Sequence, residues 1–350
     1  MTLKRIPIAC LTGDGTGPEL IQCVKRVSGL LTSLNGLEIE LIELPVGHAA
    51  YLQCGNPLPP ATLSEVKRIG VALLGGIDVR KCPPPSPMGQ LRRELGLYAE
   101  VRPVRSLSPK DLARGKADMV IIRDLSEGFL ADRNMWKGAG EFMPARDMAL
   151  SVRVITRAAV ERIGRFALKY MRAMGKKRMT LVHKAAVFTL TCGLFRDTVR
   201  ELTRDCTDIE ISEGAVDEVA GELVSDPGKF EVILTTNLFG DILSDVGAAL
   251  VGGVVPSASF GEKVALFRPA NEALPELAGR GIINPIPTFL ALGLALRWMG
   301  EEKAGERMNR SAEQTVLQLG LSSTELKNHS TNEVTDSFCE FLVKEEMMKS

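Results

Sequence analysis

Two aspartates in the second half of the chain, Asp241 and Asp245, have the spacing of paired metal ligands. They stand four residues apart in a segment of helical periodicity, so both carboxylates project from one side of the predicted helix. The predicted strand 230–234 ends just before it, and open α/β sheets bind ligands beyond the carboxyl ends of their strands. Two converging carboxylates suit Mg²⁺ or Mn²⁺. Aspartates near a helix start also stabilise the helix dipole, so the pair alone fits either interpretation.

Three arginines in separate segments could bind an anion: Arg92, Arg102 and Arg123. Guanidinium groups bind carboxylates as two-pronged forks, so a small dicarboxylic acid requires several arginines directed at one point. Arg123 is the most suggestive because it closes an apolar strand predicted at 119–123. Isolated arginines are more often solvated surface residues, and that alternative stays open for each of them.

Lys184 and a glycine loop near the N-terminus are two further candidates for functional residues. Lys184 follows a predicted strand, and a lysine held among cations and a metal can act as a general base, although a surface lysine is the ordinary alternative. Gly13 and Gly15 begin a loop that lacks the G-x-G-x-x-G register, because Pro18 takes the place of the last small residue. The loop alone is therefore a weak signal for a dinucleotide.

The elements that must position these residues alternate between strands and helices, which predicts an α/β protein with open sheets. The strands that matter most are predicted at 6–11, 71–74, 119–123, 148–155, 179–182 and 230–234. The main helices are predicted at 18–31, 90–96, 156–174, 189–202, 217–225, 285–299 and 306–320.

Bulk composition excludes several classes of function. The chain has 350 residues, 45% hydrophobic and 25% charged, which is enough core for two domains. Lysine plus arginine and aspartate plus glutamate both number 43, and aromatic residues make up 5%, so neither a nucleic acid nor a membrane is an expected partner. The seven cysteines are scattered without a CxxC pair, as in reduced proteins, and no apolar run is long enough to span a membrane. We therefore expect a cytoplasmic protein.

Residues 235–253, TTNLFGDILSDVGAALVGG, closely resemble the metal-binding segment of the β-decarboxylating dehydrogenases. That family includes isocitrate, 3-isopropylmalate, homoisocitrate, tartrate and D-malate dehydrogenases, and the resemblance continues in family order from about residue 6 to 300. It implies an isocitrate/isopropylmalate dehydrogenase-like fold, with two open-sheet α/β domains and the site in a cleft between them. One domain would combine 1–98 with 252–350. The other, 99–251, would carry the interface of a homodimer or higher even oligomer.

The resemblance also implies roles for the candidate residues. The segments LRRELGLYAEVRPV and IIRD resemble those that hold the malate portion of a hydroxy di- or tricarboxylate. The substrate-binding residues implied are Arg92, Arg102, Arg123 and Ser86. Lys184 matches the lysine that takes the proton from the substrate hydroxyl. Asp217 matches the third metal carboxylate beside Asp241 and Asp245, and both Lys184 and Asp217 would be lent to the neighbouring subunit's site.

A cofactor segment is implied by residues 275–285, PELAGRGIINP, which resemble the family's PDIAGKGIANP. An acidic residue at Glu276 can hydrogen-bond both ribose hydroxyls and would repel a 2′-phosphate, which favours NAD over NADP. Asn284 matches a residue that contacts adenine. Gly13 and Gly15 belong to GDGTGPE, which resembles the family's GDGIGPE opening near the cofactor.

Four departures from the family pattern bear on function. Leu130 stands where the family has the tyrosine that protonates the enolate carbon after decarboxylation. Residues 271–274 read NEAL in place of HGSA, which cradles the cofactor. Ala186 replaces an asparagine beside the nicotinamide. Met88 fits neither the isocitrate nor the isopropylmalate pattern, so the 3-substituent of the substrate stays open.

Two hypotheses follow from this pattern. The first is an atypical NAD- and Mg²⁺- or Mn²⁺-dependent enzyme that oxidises, with decarboxylation, a malate-type 2-hydroxy acid. The second is a non-catalytic or regulatory family member that binds a metal and a carboxylate ligand. The three arginines, the metal carboxylates and Lys184 are all retained, which favours the enzyme.

Overall fold

The structure is a computed structural model that describes residues 4–108, 115–129, 140–270, 273–322 and 324–347. The chain divides into two compact units. Unit 1 comprises Met1–Leu95, Leu107–Asp111 and Val251–Ser350, and unit 2 comprises Gly96–Ser106 and Leu112–Leu250. Unit 1 is thus built from both ends of the chain, and unit 2 from its middle.

The described strands, in chain order, are β1 (Lys4–Leu11), β2 (Leu37–Leu44), β3 (Val71–Leu74), β4 (Ala99–Arg105), β5 (Asp118–Asp124), β6 (Glu141–Ala145), β7 (Met148–Ser151), β8 (Arg178–His183), β9 (Glu210–Ala215), β10 (Val232–Thr235), β11 (Pro256–Phe260) and β12 (Ala265–Pro269). The described helices are α1 (Gly17–Asn35), α2 (Gly47–Cys54), α3 (Pro60–Ile69), α4 (Pro87–Glu94), α5 (Arg157–Ala173), α6 (Thr191–Thr203), α7 (Val216–Ser225), α8 (Asn237–Leu250), α9 (Ile286–Trp298), α10 (Glu302–Leu319) and α11 (Thr331–Met347).

Unit 1 has strands in the order β2-β1-β3-β12-β11. The pairs from β2 to β12 are parallel, and β11 joins β12 as an antiparallel hairpin. Helix α9 is apolar on nearly every side and packs on β12, while α10 and α11 pack on one another. A helix that is hydrophobic all round has to be buried, and α9 is the centre of this core.

Unit 2 has strands in the order β4-β5-β10-β8-β9. Antiparallel β4 pairs with β5, whereas β5, β10, β8 and β9 run parallel. Every residue of β10 is buried, as a central parallel strand requires. The hydroxyl of Thr156 caps α5 by accepting a hydrogen bond from the backbone N–H of Ala159. Strands β6 and β7 form a separate two-stranded hairpin.

The structure differs from the predicted elements in a few places. Helix α2 and strand β6 were not predicted, and α10 begins four residues earlier than the expected 306. Helix α2 has almost no apolar periodicity, and its start is fixed by Asp14, a residue outside the helix. The Asp14 carboxylate accepts the backbone N–H groups of His48 and Ala49, each at 2.9 Å. No helix among the described residues is long and apolar enough to cross a membrane.

Candidate functional site

Helix α8 of unit 2 places Asp241 and Asp245 beside the sheet. The helix begins directly after β10 and packs mainly against β5. A Cβ on Gly240 would lie 2.7 Å from the Arg123 side chain, and one on Gly247 would lie 3.0 Å from Val104. Glycine at these two positions therefore lets α8 approach β4 and β5 closely, and this approach puts the aspartates within reach of the arginines.

Arg123 lies at the centre of the site, and its side chain is only 3% exposed. Its guanidinium contacts the Asp241 carboxylate and, at 3.1 Å, the Glu100 carboxylate. Its Nε and Nη2 donate to Oδ1 of Asn237 at 3.1 and 2.8 Å. Asn237 is itself oriented because its Nδ2 donates to the Glu127 carbonyl at 2.8 Å. Arg123 thus ties the first turn of α8 to β4 and β5.

Arg102 makes the second arginine–aspartate contact of the site. Its Nη1 lies 2.6 Å from Oδ1 of Asp245, and its side chain is 4% exposed while that of Asp245 is 78% exposed. The Nε of Arg102 is buried and has no hydrogen-bond partner within the described residues. A buried donor without a partner costs free energy, so this N–H suits an acceptor supplied by a ligand.

Glu100 is a site residue that sequence analysis missed. It pairs directly across the antiparallel ladder with Arg123, and it shares one face of β4 with Arg102, two residues along. The side chain is 2% exposed. The alternation of Glu100 and Arg102 with the buried residues Ala99 and Val101 was the available signal, because charges at alternate positions of a buried strand must find partners.

Lys184 and Asp217 form a second pair in unit 2. The Lys184 ammonium contacts the Asp217 carboxylate, which lies in the first turn of α7. This hydrogen bond is the main reason that the pKa of Asp217 lies below its usual value. The turn after Lys184 is fixed to α8 because Ala185, Cys192 and Phe239 form one buried cluster. The elements that carry Lys184, Asp217 and Asp241 are therefore packed together.

Arg153 joins three segments of unit 2 and was also missed. Its guanidinium lies over the rings of Phe129, Phe188 and Phe239 at 5.5, 5.3 and 5.1 Å from their centroids. Its Nη2 donates to the Thr236 hydroxyl at 3.2 Å. Such cation–π contacts favour a fixed arrangement of the rings. No sequence motif indicated this set.

Glu127 is a buried carboxyl close to the site. Burial raises its pKa from 4.5 to about 7, although hydrogen bonds from Thr156 oppose the rise. Its oxygens accept the backbone N–H of Thr156 at 2.7 Å and the Thr156 hydroxyl at 2.9 Å. Glu127 therefore anchors the start of α5.

The predicted substrate residues Arg92 and Ser86 lie in unit 1. Arg92 is in α4 and is half-buried, and Ser86 is exposed at the position just before that helix. A cavity in this unit is lined by Leu74, Gly76, Ile77, Val79, Met88, Arg268 and Pro269. Met88, one of the departures from the family pattern, thus borders an apolar cavity that has a single guanidinium among these lining residues.

The predicted cofactor residues also lie in unit 1. A Cβ on Gly13 would lie 1.7 Å from the Gly76 carbonyl oxygen, and one on Gly15 would lie 2.1 Å from that of Ala273. Both glycines also have positive φ, a conformation that favours glycine. Backbone packing and backbone conformation therefore explain why glycine stands at these two positions. Glu276 is exposed on a 3₁₀ turn and is accessible to a ribose. Asn284 is 1% exposed, and its Oδ1 accepts the N–H of Ile286, so its side chain is oriented by the start of α9.

The donor set of α8 fits a hard divalent cation. Asp241 and Asp245 are one helical turn apart, and their side chains are 49% and 78% exposed. Each contacts its arginine through Oδ1, and oxygen donors of this kind are what Mg²⁺ and Mn²⁺ prefer. Within the described residues no group of three or more histidine, cysteine, aspartate or glutamate side chains is placed to hold a metal. Asp217 therefore does not join Asp241 and Asp245 in one chain.

Leu130, one of the four departures from the family pattern, lies outside the described residues, and so do Asn271 and Glu272, the first half of another. The replacement of the HGSA segment is visible at its second half. Leu274 has φ 43° and ψ 62°, a left-handed conformation that is unfavourable for leucine. Its side chain packs against a cluster of Leu20, Leu277 and Ile283.

Comparison with known proteins gives consistent matches along the chain. Residues 7–342 match the family model described as isocitrate/isopropylmalate dehydrogenase. The isocitrate/homoisocitrate dehydrogenase of Thermus thermophilus is 35% identical, over 96% of this chain and 97% of that protein. The 3-isopropylmalate dehydrogenase of Methanothermobacter thermautotrophicus is 34% identical, over 93% and 94%. The crystal structure of isocitrate dehydrogenase from Methylococcus capsulatus has a TM-score of 0.85 at 31% identity, covering 96% of this chain and 99% of that one.

Proposed function

Since the chain belongs to the isocitrate/isopropylmalate dehydrogenase family, we propose that it oxidises a malate-type 2-hydroxy acid with NAD and Mg²⁺ or Mn²⁺ and releases one carboxyl group as CO₂. The observation that carries the proposal is the cluster in unit 2. It brings two buried arginines against two accessible aspartates of one helix face. Such a cluster offers donors for a carboxylate and oxygens for a cation in one place.

The metal would be held by Asp241 and Asp245, with Asp217 from a neighbouring subunit as the third carboxylate. When bound, it would supply electrophilic stabilisation of the oxygen that becomes the ketone. Arg102 would bind a substrate carboxylate through its buried Nε. Arg123, at the centre of the site, would contribute to the binding of the substrate. Arg92 and Ser86 are proposed to complete substrate binding.

Lys184 is proposed as the group that takes the proton from the substrate hydroxyl. In the structure its ammonium contacts Asp217, and a carboxylate partner fixes the position of the nitrogen. The proton acceptor has to be the neutral amine, so the Lys184–Asp217 pair must rearrange when Asp217 binds metal. His183 is the residue before Lys184, and its Nε2 lies 3.2 Å from Oε2 of Glu213. This contact supports the turn that carries Lys184.

NAD would lie along the segment that contains Glu276 and Asn284, beside the loop of Gly13 and Gly15. When bound, it would supply the acceptor for the hydride from C2. The exposed carboxylate of Glu276 fits hydrogen bonds to two ribose hydroxyls, and its charge opposes a 2′-phosphate. Leu130 has no proton to donate, so we propose that water or another side chain protonates the enolate carbon.

A homodimer is proposed because large apolar side chains are exposed mostly on unit 2. On the hairpin β6–β7, Met143 is 64% and Met148 is 51% exposed, and Leu190 and Ile242 reach 84% and 51%. A concentration of large exposed apolar side chains is typical of protein interfaces. A second copy of the chain would cover it and could contribute Lys184 and Asp217. The seven cysteines are free thiols, which supports a reducing compartment such as the cytoplasm.

The test is an assay of the purified homomeric protein with Mg²⁺ or Mn²⁺, NAD or NADP, and a panel of isocitrate, homoisocitrate, 3-isopropylmalate, tartrate and D-malate. We expect NADH from at least one of these acids, a clear preference for NAD, and no reduction with chelator present. If a folded, metal-loaded dimer binds one of the acids and reduces neither cofactor, the non-catalytic alternative is correct. Equal turnover with NADP would refute the role of Glu276.

A further inference from the structure

Arg153 contacts both the segment that follows the proposed proton acceptor and the helix that carries the proposed metal ligands. On one side its Nη1 donates to the Thr191 hydroxyl at 3.3 Å and to Sγ of Cys192 at 3.1 Å, at the start of α6. On the other side its Nη2 donates to the hydroxyl of Thr236, the residue directly before α8. In the described part of the chain its contacts are with hydroxyls, a thiol and rings, and none is with a carboxylate.

Two of the three rings that face the Arg153 guanidinium belong to these same elements. Phe188 ends the turn 184–188, and its backbone N–H donates to the Lys184 carbonyl at 2.8 Å. Phe239 lies in the first turn of α8 and is buried. A guanidinium attracts the faces of both rings, so Arg153 holds the turn of Lys184 and the start of α8 at a fixed separation.

The backbone beside Arg153 is fixed by hydrogen bonds to another segment. The N–H of Gly128 donates to the Val154 carbonyl at 2.8 Å, and the N–H of Val154 donates to the Gly128 carbonyl at 3.1 Å. The third ring, Phe129, follows Gly128 and has its centroid 5.5 Å from the guanidinium carbon. Arg153 therefore projects from an anchored position, and its guanidinium can hold the two neighbouring elements because its own place is defined.

We propose that Arg153 is a positioning residue for the reaction. It holds the turn 184–188 so that the Lys184 nitrogen reaches the substrate hydroxyl, and this inference rests on the proposed function for the role of Lys184. Helix α8 has a second attachment, because Arg123 contacts both Asn237 and Asp241. Loss of the Arg153 contacts should therefore displace the turn of Lys184 and leave the proposed metal ligands of α8 in place.

The consequence falls on the rate of the reaction rather than on the binding of the acid. Lys184 is proposed to serve the neighbouring subunit, and unit 2 carries the proposed interface, so a turn fixed on α8 also has a defined place at that second site. A displacement of about 1 Å at a reacting group can lower a rate about 10²-fold. The acid is proposed to be bound by Arg102 and Arg123 on β4 and β5, outside the segments that Arg153 holds.

The first experiment measures kcat and KM of the full-length homomeric protein with NAD, Mn²⁺ and the acid of the panel that supports the fastest reduction of NAD. Arg153→Met removes the charge and the donors, and kcat should fall about 10²-fold while KM changes less than about threefold. Arg153→Lys returns a cation to the rings, and its kcat should exceed that of Arg153→Met at least about threefold. The control Arg162→Met removes a guanidinium 4.6 Å from the Tyr98 ring and should keep the kcat of the parent. An unchanged kcat in Arg153→Met, or a rise in KM alone, overturns the proposal.

A double-mutant cycle separates positioning of Lys184 from general support of the fold. If Arg153 acts through Lys184, adding Arg153→Met to Lys184→Met should cost less than about threefold in kcat. A residue that only stabilises unit 2 would cost the same factor in both backgrounds, and that result overturns the proposal. If Lys184→Met has no measurable rate, the separate effects on kcat and KM and the hydrogen exchange of the turn decide the question.

Hydrogen exchange of the free protein tests the same claim without turnover. The amides of Val187 and Phe188 donate to the Lys184 carbonyl at 3.0 and 2.8 Å. Arg153→Met should speed their exchange at least about threefold and leave the exchange of residues 179–182 in β8 unchanged. Unchanged exchange of the two amides overturns the inference. If the parent turns over no acid, the proposed function fails, and the exchange rates alone decide whether Arg153 holds the turn.

Phe188→Leu is the second variant and replaces Arg153→Met if the latter does not fold. It removes the ring on the turn of Lys184 and leaves Arg153 in place. Exchange of the Val187 amide should become faster and kcat should fall, each by a smaller factor than in Arg153→Met. A folded Phe188→Leu protein with the exchange rates and the kcat of the parent overturns the proposal.

Discussion

Replacing Glu127 by glutamine should stabilise the protein at neutral pH. Glu127 is 2% exposed, and burial raises its pKa from 4.5 to about 7. An acid whose pKa is raised on folding holds its proton more tightly in the native state, so the free energy of unfolding falls as pH rises from about 4.5 to about 7. At 1.36 kcal/mol for each pKa unit, the ionisation costs about 3 kcal/mol above pH 7 and nothing below pH 4.5.

The Glu127→Gln side chain keeps the hydrogen-bond partners of the carboxyl. Its amide oxygen can accept the Thr156 N–H, and its amide nitrogen can donate to the Thr156 hydroxyl. The variant should therefore differ from the parent by less than about 1 kcal/mol at pH 5 and exceed its free energy of unfolding by about 2–3 kcal/mol at pH 8. The assay is urea denaturation at pH 5, 6, 7 and 8, at one protein concentration because an oligomer's stability depends on it.

The control for this prediction is Glu262→Gln, which changes an exposed glutamate in the turn between β11 and β12. It should leave the pH dependence of unfolding as it is in the parent. If Glu127→Gln is less stable than the parent at pH 8, or if its advantage is the same at every pH, the carboxyl is not held protonated by burial and our reasoning is wrong.

Three further predictions concern the site, the assembly and the missing tyrosine. Asp241→Asn should weaken Mn²⁺ binding by at least about tenfold, because it removes one of few hard ligands. The control Asp208→Asn changes an exposed aspartate that pairs with Arg172 and should leave the Mn²⁺ affinity as it is in the parent. Equal Mn²⁺ affinities of Asp241→Asn and the parent would exclude Asp241 as a ligand. Light scattering should give an even multiple of 37.9 kDa for the parent and a lower mass for Met143→Glu. The control Leu52→Glu, at an exposed leucine of unit 1, should keep the mass of the parent. A parent that is active as a monomer would contradict the shared site. Leu130→Tyr should speed release of the ketone product by about 10²-fold where protonation limits turnover. The control Leu130→Phe adds the ring without the hydroxyl and should leave the rate of release unchanged. An equal effect of both substitutions would show that the phenol is not the cause.

The sequence predicted those parts of the molecule in which local pattern decides the structure. The buried strand β10 and the helix α8 were expected because their apolar residues follow strand and helix spacing, and Asp241 and Asp245 lie on that helix. The division into units built from both termini and from the middle was implied by family resemblance alone. Helix α2 could not be predicted because its start depends on Asp14, more than thirty residues earlier in the chain.

The sequence proposed a set of candidate site residues and gave no information on the contacts among them. Arg102 and Arg123 were identified, but their pairing with Asp245 and Asp241 depends on how closely α8 packs on the sheet, and Gly240 and Gly247 permit that approach. Glu100 was not predicted because a glutamate in a strand is ordinarily exposed, and only the register of β4 against β5 shows that it lies opposite Arg123. Arg153 was not predicted because its partners come from three distant segments.

The most direct test of the central claim measures NADH and CO₂ in the same reaction. Purified protein is given NAD, Mn²⁺ and whichever acid of the panel supports the fastest reduction. We expect one CO₂ for each NADH, with both products abolished by chelator and strongly reduced in Asp241→Asn. Folded, metal-loaded protein that forms neither product from any acid, while binding one of them, would contradict the claim and identify a ligand-binding family member without dehydrogenase activity.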